Sequence, residues 1–124
     1  MTLVKSAENF GPPPKELMEA MAKLGEESAR AGILVETGGL APSAAATRVR
    51  ISKRRVTVVD GPFTEAKEVV GGYAVLEVKS KEQAVEETRR FMDLHAKYWP
   101  SWEGETEIRQ IFSPDDFAPG GNHP

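Results

Sequence analysis

The residues that offer the most chemistry lie between two strand-like runs, in the segment TVVDGPFTEAKEVVGGYAVLEV at 57–78. Asp60, Glu65 and Lys67 bring two carboxylates and an amine close together, and a Gly-Pro pair directly follows Asp60. An aspartate in this position acts as a general base if it faces a cleft. It equally serves a tight turn, because Asp, Gly and Pro are all turn residues. The sequence leaves both interpretations open.

The residues after this turn predict a short helix over 64–69, which Asp60 caps if it serves the turn. On such a helix Glu65 and Glu68 share one side, and Lys67 points away from them. Two carboxylates on one side raise one another's pKa or hold a cation, although solvated carboxylates are the commoner outcome. Alternatively, Lys67 reaches Asp60 across the turn.

His95 is the second candidate, because histidine is the side chain that titrates close to neutral pH. It falls on the apolar stripe of a predicted helix, beside Phe91 and Met92. Two roles are open: a histidine at the edge of the core with one hydrogen bond, or the general acid/base of the domain. The other histidine, His123, belongs to a segment over 118–124 that we expect to be a flexible tail.

Three further side chains are candidates for ligand binding, namely Tyr73, Arg48 and Arg109. Lining of a pocket by Tyr73, Trp99 and Trp102 is one interpretation, but the sequence favours packing of the two tryptophans in a loop between the second helix and the last strand. Arg48 belongs to a basic cluster on a predicted hairpin. That cluster is either an anion-binding patch or a solvated surface whose charges discourage edge-to-edge pairing.

Hydrophobic periodicity supplies the elements that carry these residues. Leu17, Met21 and Leu24 form a one-sided helical stripe, whereas Ser80 and Gln83 have the spacing of a capping box. The predicted elements are strand 2–6, helix 15–32, a strand from 33 that breaks at Gly38, a hairpin of strands 46–52 and 55–60, strand 72–79, helix 80–98 and strand 105–112.

This order is strand-helix-strand, a hairpin, then strand-helix-strand, which predicts an α+β fold with both helices on one face of the sheet. Five apolar residues cannot all lie under two helices: Val49, Ile51, Val75, Ile108 and Phe112. A sheet that is apolar on both faces needs a second cover. The economical cover is a second copy of the chain, so we expect a two-fold homodimer.

Composition excludes several classes of protein. The 124 residues suit one domain, and the absence of cysteine excludes disulfides, thiolate catalysis and Cys-based zinc sites. Two histidines cannot build a His-rich metal site, and we expect no cofactor. The net charge of −3 gives no reason to expect a nucleic-acid partner. No apolar run spans a membrane and no signal peptide is recognisable, so we expect a cytoplasmic protein.

The run VTVVDGPFTEAKEVVGGYAVLEVKSKEQAVEETRRF resembles the DGPF signature of the YCII-related family, as do GILVETGGLAPSAAATRVRI and EGETEIRQIFSPDDF. The resemblance covers 1–117. It implies a ferredoxin-like β-α-β-β-β-α-β subunit with an antiparallel sheet, which pairs into a dimeric α/β barrel with clefts proposed as active sites. Some members carry a histidine on the first helix that pairs with an aspartate, but 15–31 contain no histidine. That dyad cannot be transferred to this chain.

We therefore expect a homodimer whose cleft binds a small polar or aromatic molecule. Asp60 would be the base of a cofactor-independent, lyase- or isomerase-like reaction, with Glu65, Lys67 and His95 orienting or polarising the substrate. The competing expectation is a module without catalysis that binds a ligand or regulates transcription. That role follows from the resemblance, because some family members are associated with extracytoplasmic-function sigma factors.

Overall fold

The computed structural model describes residues 1–117. The tail expected over 118–124, which includes His123, lies outside them. The described strands and helices are β1 (Thr2–Ser6), α1 (Lys15–Arg30), β2 (Leu34–Gly39), β3 (Thr47–Ser52), β4 (Arg55–Asp60), β5 (Val69–Leu76), α2 (Lys81–Tyr98) and β6 (Gly104–Ile108). Neither helix in this part of the chain has the length and apolar character needed to cross a membrane.

Four strands form one antiparallel sheet in the order β2-β5-β1-β6. Each helix connects two strands that have a third strand between them, which is the arrangement of the ferredoxin-like fold. The predicted ferredoxin-like α+β architecture is therefore confirmed. β3 and β4 form a separate hairpin inserted between β2 and β5. The order is thus β-α-β-β-β-β-α-β, one strand more than the family resemblance implies.

Three strands differ from their predicted boundaries. β2 does not break at Gly38 but runs to Gly39, because Gly38 and Gly39 pair with Tyr73 and Gly72 of β5. The last strand ends at Ile108 rather than at 112, because its neighbour β1 begins with Thr2, the partner of Ile108. The Arg109 N–H still donates to the Met1 carbonyl, but no strand pairing follows it. β5 begins at Val69 rather than at 72, because an irregularity in β1 lets its last residues pair with the start of β5.

Both helices form where the sequence predicts, although α1 ends at Arg30 rather than at 32, and little of their apolar surface is fully buried. Ser80 Oγ accepts a hydrogen bond from the Gln83 N–H at 3.1 Å, and Gly32 has a φ of +76° just after α1, as a helix C-terminus favours. Leu17 is the largest fully buried side chain among the described residues. Several apolar side chains of the helices border a cavity instead, among them Met21, Leu24 and Phe91.

The hairpin exposes a continuous apolar face. Val49 pairs with Val58, and Ile51 pairs with Val56, so the four side chains share one face. They are between 65% and 75% exposed, and we call them the hairpin stripe. A two-stranded hairpin is marginally stable by itself, and an exposed stripe of β-branched residues is typical of a surface that another element covers.

Candidate functional site

A cavity of about 770 Å³ lies between the two helices and the sheet. Met21 and Leu24 of α1, Phe91 and His95 of α2, and Val4 of β1 are among the residues that line it. The volume is within the range of small-molecule sites in proteins. The stripes that the sequence predicts as core therefore border a space that a small molecule can enter.

Five rings, which we call the aromatic row, follow one another along this cavity: Phe10, Trp99, Trp102, His95 and Phe91. Successive centroids are 6.4, 6.0, 4.8 and 4.7 Å apart, within the range of favourable ring contacts. Gly104 leaves room for the row, because a Cβ there would lie 2.5 Å from the Trp102 ring. The row thus connects the loop after β1 with the end of α2.

His95 is the titratable group within this row, and it is only 7% exposed. Its Nδ1 lies 3.0 Å from the Phe91 carbonyl oxygen, which can only accept, so Nδ1 carries the proton. Burial lowers the pKa of His95 from its ordinary 6.5, against a smaller raising effect of the Phe91 carbonyl. His95 is therefore neutral at pH 7, with a lone pair on Nε2.

The Nε2 atom of His95 has no hydrogen-bond partner among the described residues. No fully buried side-chain nitrogen or oxygen in 1–117 lacks a partner, so Nε2 keeps some accessible surface. Because His95 lines the cavity, this surface gives the cavity a hydrogen-bond acceptor surrounded by rings. Such an atom can bind a donor group of a ligand or take a proton from it.

Glu8 supplies a carboxylate to the same cavity from the loop after β1. Its two oxygens accept hydrogen bonds from the Oγ and the N–H of Ser43, each at 2.6 Å. These two bonds hold the pKa of Glu8 below its ordinary 4.5. Glu8 is exposed whereas Ser43 is buried, so this carboxylate lies where the cavity meets solvent.

A second carboxylate of the cavity, Glu87, lies about two helical turns before His95 on α2. It accepts a hydrogen bond from the buried Ser28 at 3.1 Å and pairs with Arg90 at 3.1 Å. The charge of Glu87 is therefore balanced within the chain. Within 1–117, no three His, Asp or Glu side chains converge to form a metal site.

The DGPF segment lies elsewhere, at the base of the hairpin. Asp60 Oδ1 accepts a hydrogen bond from Thr47 Oγ1 at 2.9 Å, and the Gly61 N–H donates to the Ala46 carbonyl at 2.8 Å. A Cβ on Gly61 would overlap the Ser43 carbonyl oxygen, so glycine is required there. We call this region the latch; it comprises Asp60, Gly61, Phe63, Glu65, Ser43, Thr47 and Arg48.

Arg48 completes the latch. Its guanidinium carbon lies 3.6 Å from the centroid of the Phe63 ring, a cation–π geometry, and it forms an ion pair with Glu65. The N–H of Glu65 itself and then Arg48 lower the pKa of that carboxyl from 4.5. The predicted helix over 64–69 is wrong, because Glu65 turns back to the hairpin and only one turn forms, from the Ala66 N–H to the Phe63 carbonyl.

The remaining predicted residues are dispersed. Lys67 borders a separate pocket of about 350 Å³, Arg109 pairs with Glu107 at 3.0 Å, and the Tyr73 ring lies against Gly38. Of the seven site residues expected from the sequence, His95 and Tyr73 line the cavity. Five are not among its lining residues: Asp60, Glu65, Lys67, Arg48 and Arg109.

The model of the YCII-related domain matches residues 1–95. The chain belongs to the YCII-related family. No curated protein matches it. All latch residues of this YCII-related domain lie within the matched part, whereas Trp99 and Trp102 follow it.

Sequence reasoning missed the contribution of Glu8 and Phe10 to the site of this YCII-related domain. Both lie in the loop before α1, and no periodicity or motif distinguishes them from ordinary loop residues. Trp99 and Trp102 stack on each other at and after the end of α2, as a packed loop requires, and they also line the cavity. The alternative for His95 with a single hydrogen bond is confirmed, but that bond leaves its second nitrogen available in a cavity.

Proposed function

We propose that this YCII-related protein binds a small, largely apolar or aromatic molecule in the cavity, where His95 accepts a hydrogen bond from it. The observation that carries this proposal is the unpartnered Nε2 of His95, in a cavity of about 770 Å³ and within a row of rings. Ring faces supply apolar contact area, and one acceptor among them orients a ligand that has a donor group.

The same atom supports acid/base chemistry without a cofactor. His95 takes a proton at Nε2 from an acidic C–H or O–H group, while Nδ1–H remains bonded to the Phe91 carbonyl, which stabilises the imidazolium. Returning that proton to another atom of the same molecule completes an isomerase-like cycle in which nothing else is consumed. This proposal assigns the role of the base to His95 instead of Asp60, because Asp60 is exposed, bonded to Thr47 and not among the residues that line the cavity.

Phenol and its methyl ether, anisole, test this proposal, because they differ in a single donor. We expect phenol to bind the wild-type cavity about tenfold more tightly than anisole, as one hydrogen bond to a buried acceptor contributes. His95→Phe keeps a ring but removes the acceptor, so phenol and anisole should bind it equally. Ligand-detected NMR titrations give both dissociation constants.

Asp60→Asn is the matched control, because an asparagine oxygen still accepts the bond from Thr47. It should keep the tenfold preference for phenol. If Asp60→Asn loses the preference and His95→Phe retains it, the base has been assigned to the wrong residue. If neither phenol nor anisole binds the wild-type protein, the cavity is not a ligand site.

We also propose that the chain acts as a homodimer in which the hairpin stripe is covered by a second copy. The stripe supports this proposal, because four β-branched side chains of one face are at least 65% exposed. Ile51→Glu places a charge within the proposed interface of both subunits, so we expect the dimer dissociation constant to rise by about a hundredfold. Sedimentation measures the change.

Thr57→Glu is the matched control for Ile51→Glu. Thr57 pairs with Arg50 on the opposite face of the same hairpin, so the added charge should leave the dimer intact. A wild-type protein that sediments only at 13.6 kDa at micromolar concentration contradicts the dimer.

A further inference from the structure

The charged residues that line the cavity are all acidic. Among the lining residues, all of which lie in the described part of the chain, there is no lysine or arginine, but there are two carboxylates, those of Glu8 and Glu87. Arg90 balances the charge of Glu87. Glu8 accepts hydrogen bonds only from the neutral groups of Ser43, and no described cation pairs with it. The cavity therefore carries one uncompensated negative charge.

The aromatic rings that line the same cavity as Glu8 also favour a positive charge. Phe10 follows Glu8 by two residues and lies edge-on to Trp99, with a centroid distance of 6.4 Å. Trp99 in turn stacks on Trp102 at 6.0 Å. The faces of aromatic rings are regions of negative potential that attract cations, most strongly when the ring is a tryptophan. A carboxylate and several aromatic rings that line one cavity are a combination that binds organic ammonium groups.

His95 fits the same charge preference. Because its Nδ1–H is directed at the Phe91 carbonyl, the atom left to the cavity is an acceptor with a lone pair rather than a donor. An ammonium N–H can donate to that atom. A carboxylate or phosphate, in contrast, would meet a lone pair at Nε2, the negative charge of Glu8 and no balancing cation from a lysine or arginine.

We propose that the ligand of this cavity is an organic cation, a protonated amine on an apolar or aromatic body, with its charge near Glu8 and the tryptophan faces. This inference rests on the proposed function, because it names the ligand class of the same cavity. It commits to the sign of the charge: amines bind, neutral analogues bind more weakly and anions are rejected.

Three probes of similar size and different charge test the sign: 2-phenylethylamine, 2-phenylethanol and 3-phenylpropionate. At neutral pH the amine is protonated and the acid is ionised. We expect the amine to bind at least about tenfold more tightly than the alcohol, and the carboxylate to bind most weakly. Added salt should weaken the binding of the amine and leave the binding of the alcohol unchanged. Calorimetry or NMR titration on the full chain gives the three constants.

Glu8→Gln locates the charge, because a glutamine can still accept the bond from the Ser43 N–H. It should bring the affinity of the amine to within about twofold of the alcohol. Glu16→Gln removes the same net charge from the exposed surface of α1 and should leave the preference intact. Trp99→Leu should lower the affinity for the amine more than the affinity for the alcohol, because only the amine makes a cation–π contact.

The outcomes separate this inference from the proposed function. If the alcohol or the carboxylate binds as tightly as the amine, the inference is overturned, while the cavity stays a ligand site. If none of the three probes binds the wild-type protein, the proposed function fails and the inference fails with it. The wild-type series alone decides the sign, so a Glu8→Gln variant that does not fold leaves the test valid.

Discussion

In the latch, the strongest catalytic candidates of the sequence already have partners within the chain. Asp60 accepts a hydrogen bond from Thr47, and Glu65 forms an ion pair with Arg48. In the aromatic row, His95 uses one nitrogen for Phe91 and leaves the other without a described partner. The carboxylates of the latch are exposed and engaged in polar contacts, whereas the cavity is bordered by rings. The latch has more titratable groups, but the atom that remains available to a ligand is His95 Nε2 in the aromatic row.

The difference has a physical cause. A hydrogen bond to a partner within the chain stabilises the fold, but it also removes an atom from contact with ligands. A polar atom that keeps a lone pair and some accessible surface inside a cavity, as His95 Nε2 does, remains free to bond a ligand. The latch therefore holds the base of the hairpin in place, whereas the aromatic row is where we propose that a ligand binds.

We expect the largest loss of stability from a substitution that disrupts the latch. Gly61→Ala places a methyl group on the Ser43 carbonyl oxygen, and the backbone must shift, so we expect the free energy of unfolding to fall by about 3 kcal/mol. Urea unfolding followed by circular dichroism measures this change. Gly71→Ala is the control, because a methyl group added there would meet no atom of a non-adjacent residue within 4 Å, and its effect should stay below about 1 kcal/mol. Equal stability of the two variants would contradict the latch.

A smaller effect is the pH dependence of stability, which differs between His95 in the aromatic row and the carboxylates Glu8 and Glu65. Because burial lowers the folded pKa of His95 below 6.5, the unfolded chain binds a proton below about pH 6.5 that the folded chain does not. The stabilisation that neutral His95 gives is therefore complete above that pH and declines as the pH falls. Glu8 and Glu65 have folded pKa values below 4.5, so their contribution declines only below about pH 4.5.

Thermal melting between about pH 7.5 and 5.5 tests the His95 part of this pattern. The melting temperature of the wild-type protein should fall over this range, and that of His95→Phe should change less, because phenylalanine does not titrate. In Glu65→Gln, the melting temperature should depend on pH as in the wild-type protein above about pH 4.5 and should fall less steeply than in the wild-type protein below that pH. A wild-type slope in His95→Phe would show that burial does not hold His95 neutral.

The sequence predicts the fold well because its periodic segments are long. The stripes of α1 and α2, the capping box at Ser80 and the alternation of the hairpin strands all correspond to observed elements. The predicted end of β6 is too late, because alternation continues to Phe112 while the partner strand does not. Periodicity reports which face a residue occupies, but it does not report whether a neighbouring strand is present.

The site is predictable only in part, for a related reason. Asp60 and Glu65 stand in a conspicuous motif, and nothing in that motif shows that Thr47 and Arg48 engage them. His95 is apparent as a histidine on an apolar stripe. The proximity of Glu8 to the cavity depends on the contact with Ser43, 35 positions away in the chain, and contacts of that separation leave no local signal.

Ser43 belongs to both regions at once. Its hydroxyl donates to Glu8 at the edge of the cavity and accepts from the N–H of Phe63 in the latch, at 2.6 and 3.4 Å. An ammonium group that draws the Glu8 carboxylate towards itself competes with that hydroxyl, and the Phe63 N–H then bonds to a hydroxyl with altered orientation. We therefore expect binding of the proposed ammonium ligand and the stability of the latch to be linked through Ser43, and such linkage acts equally in both directions.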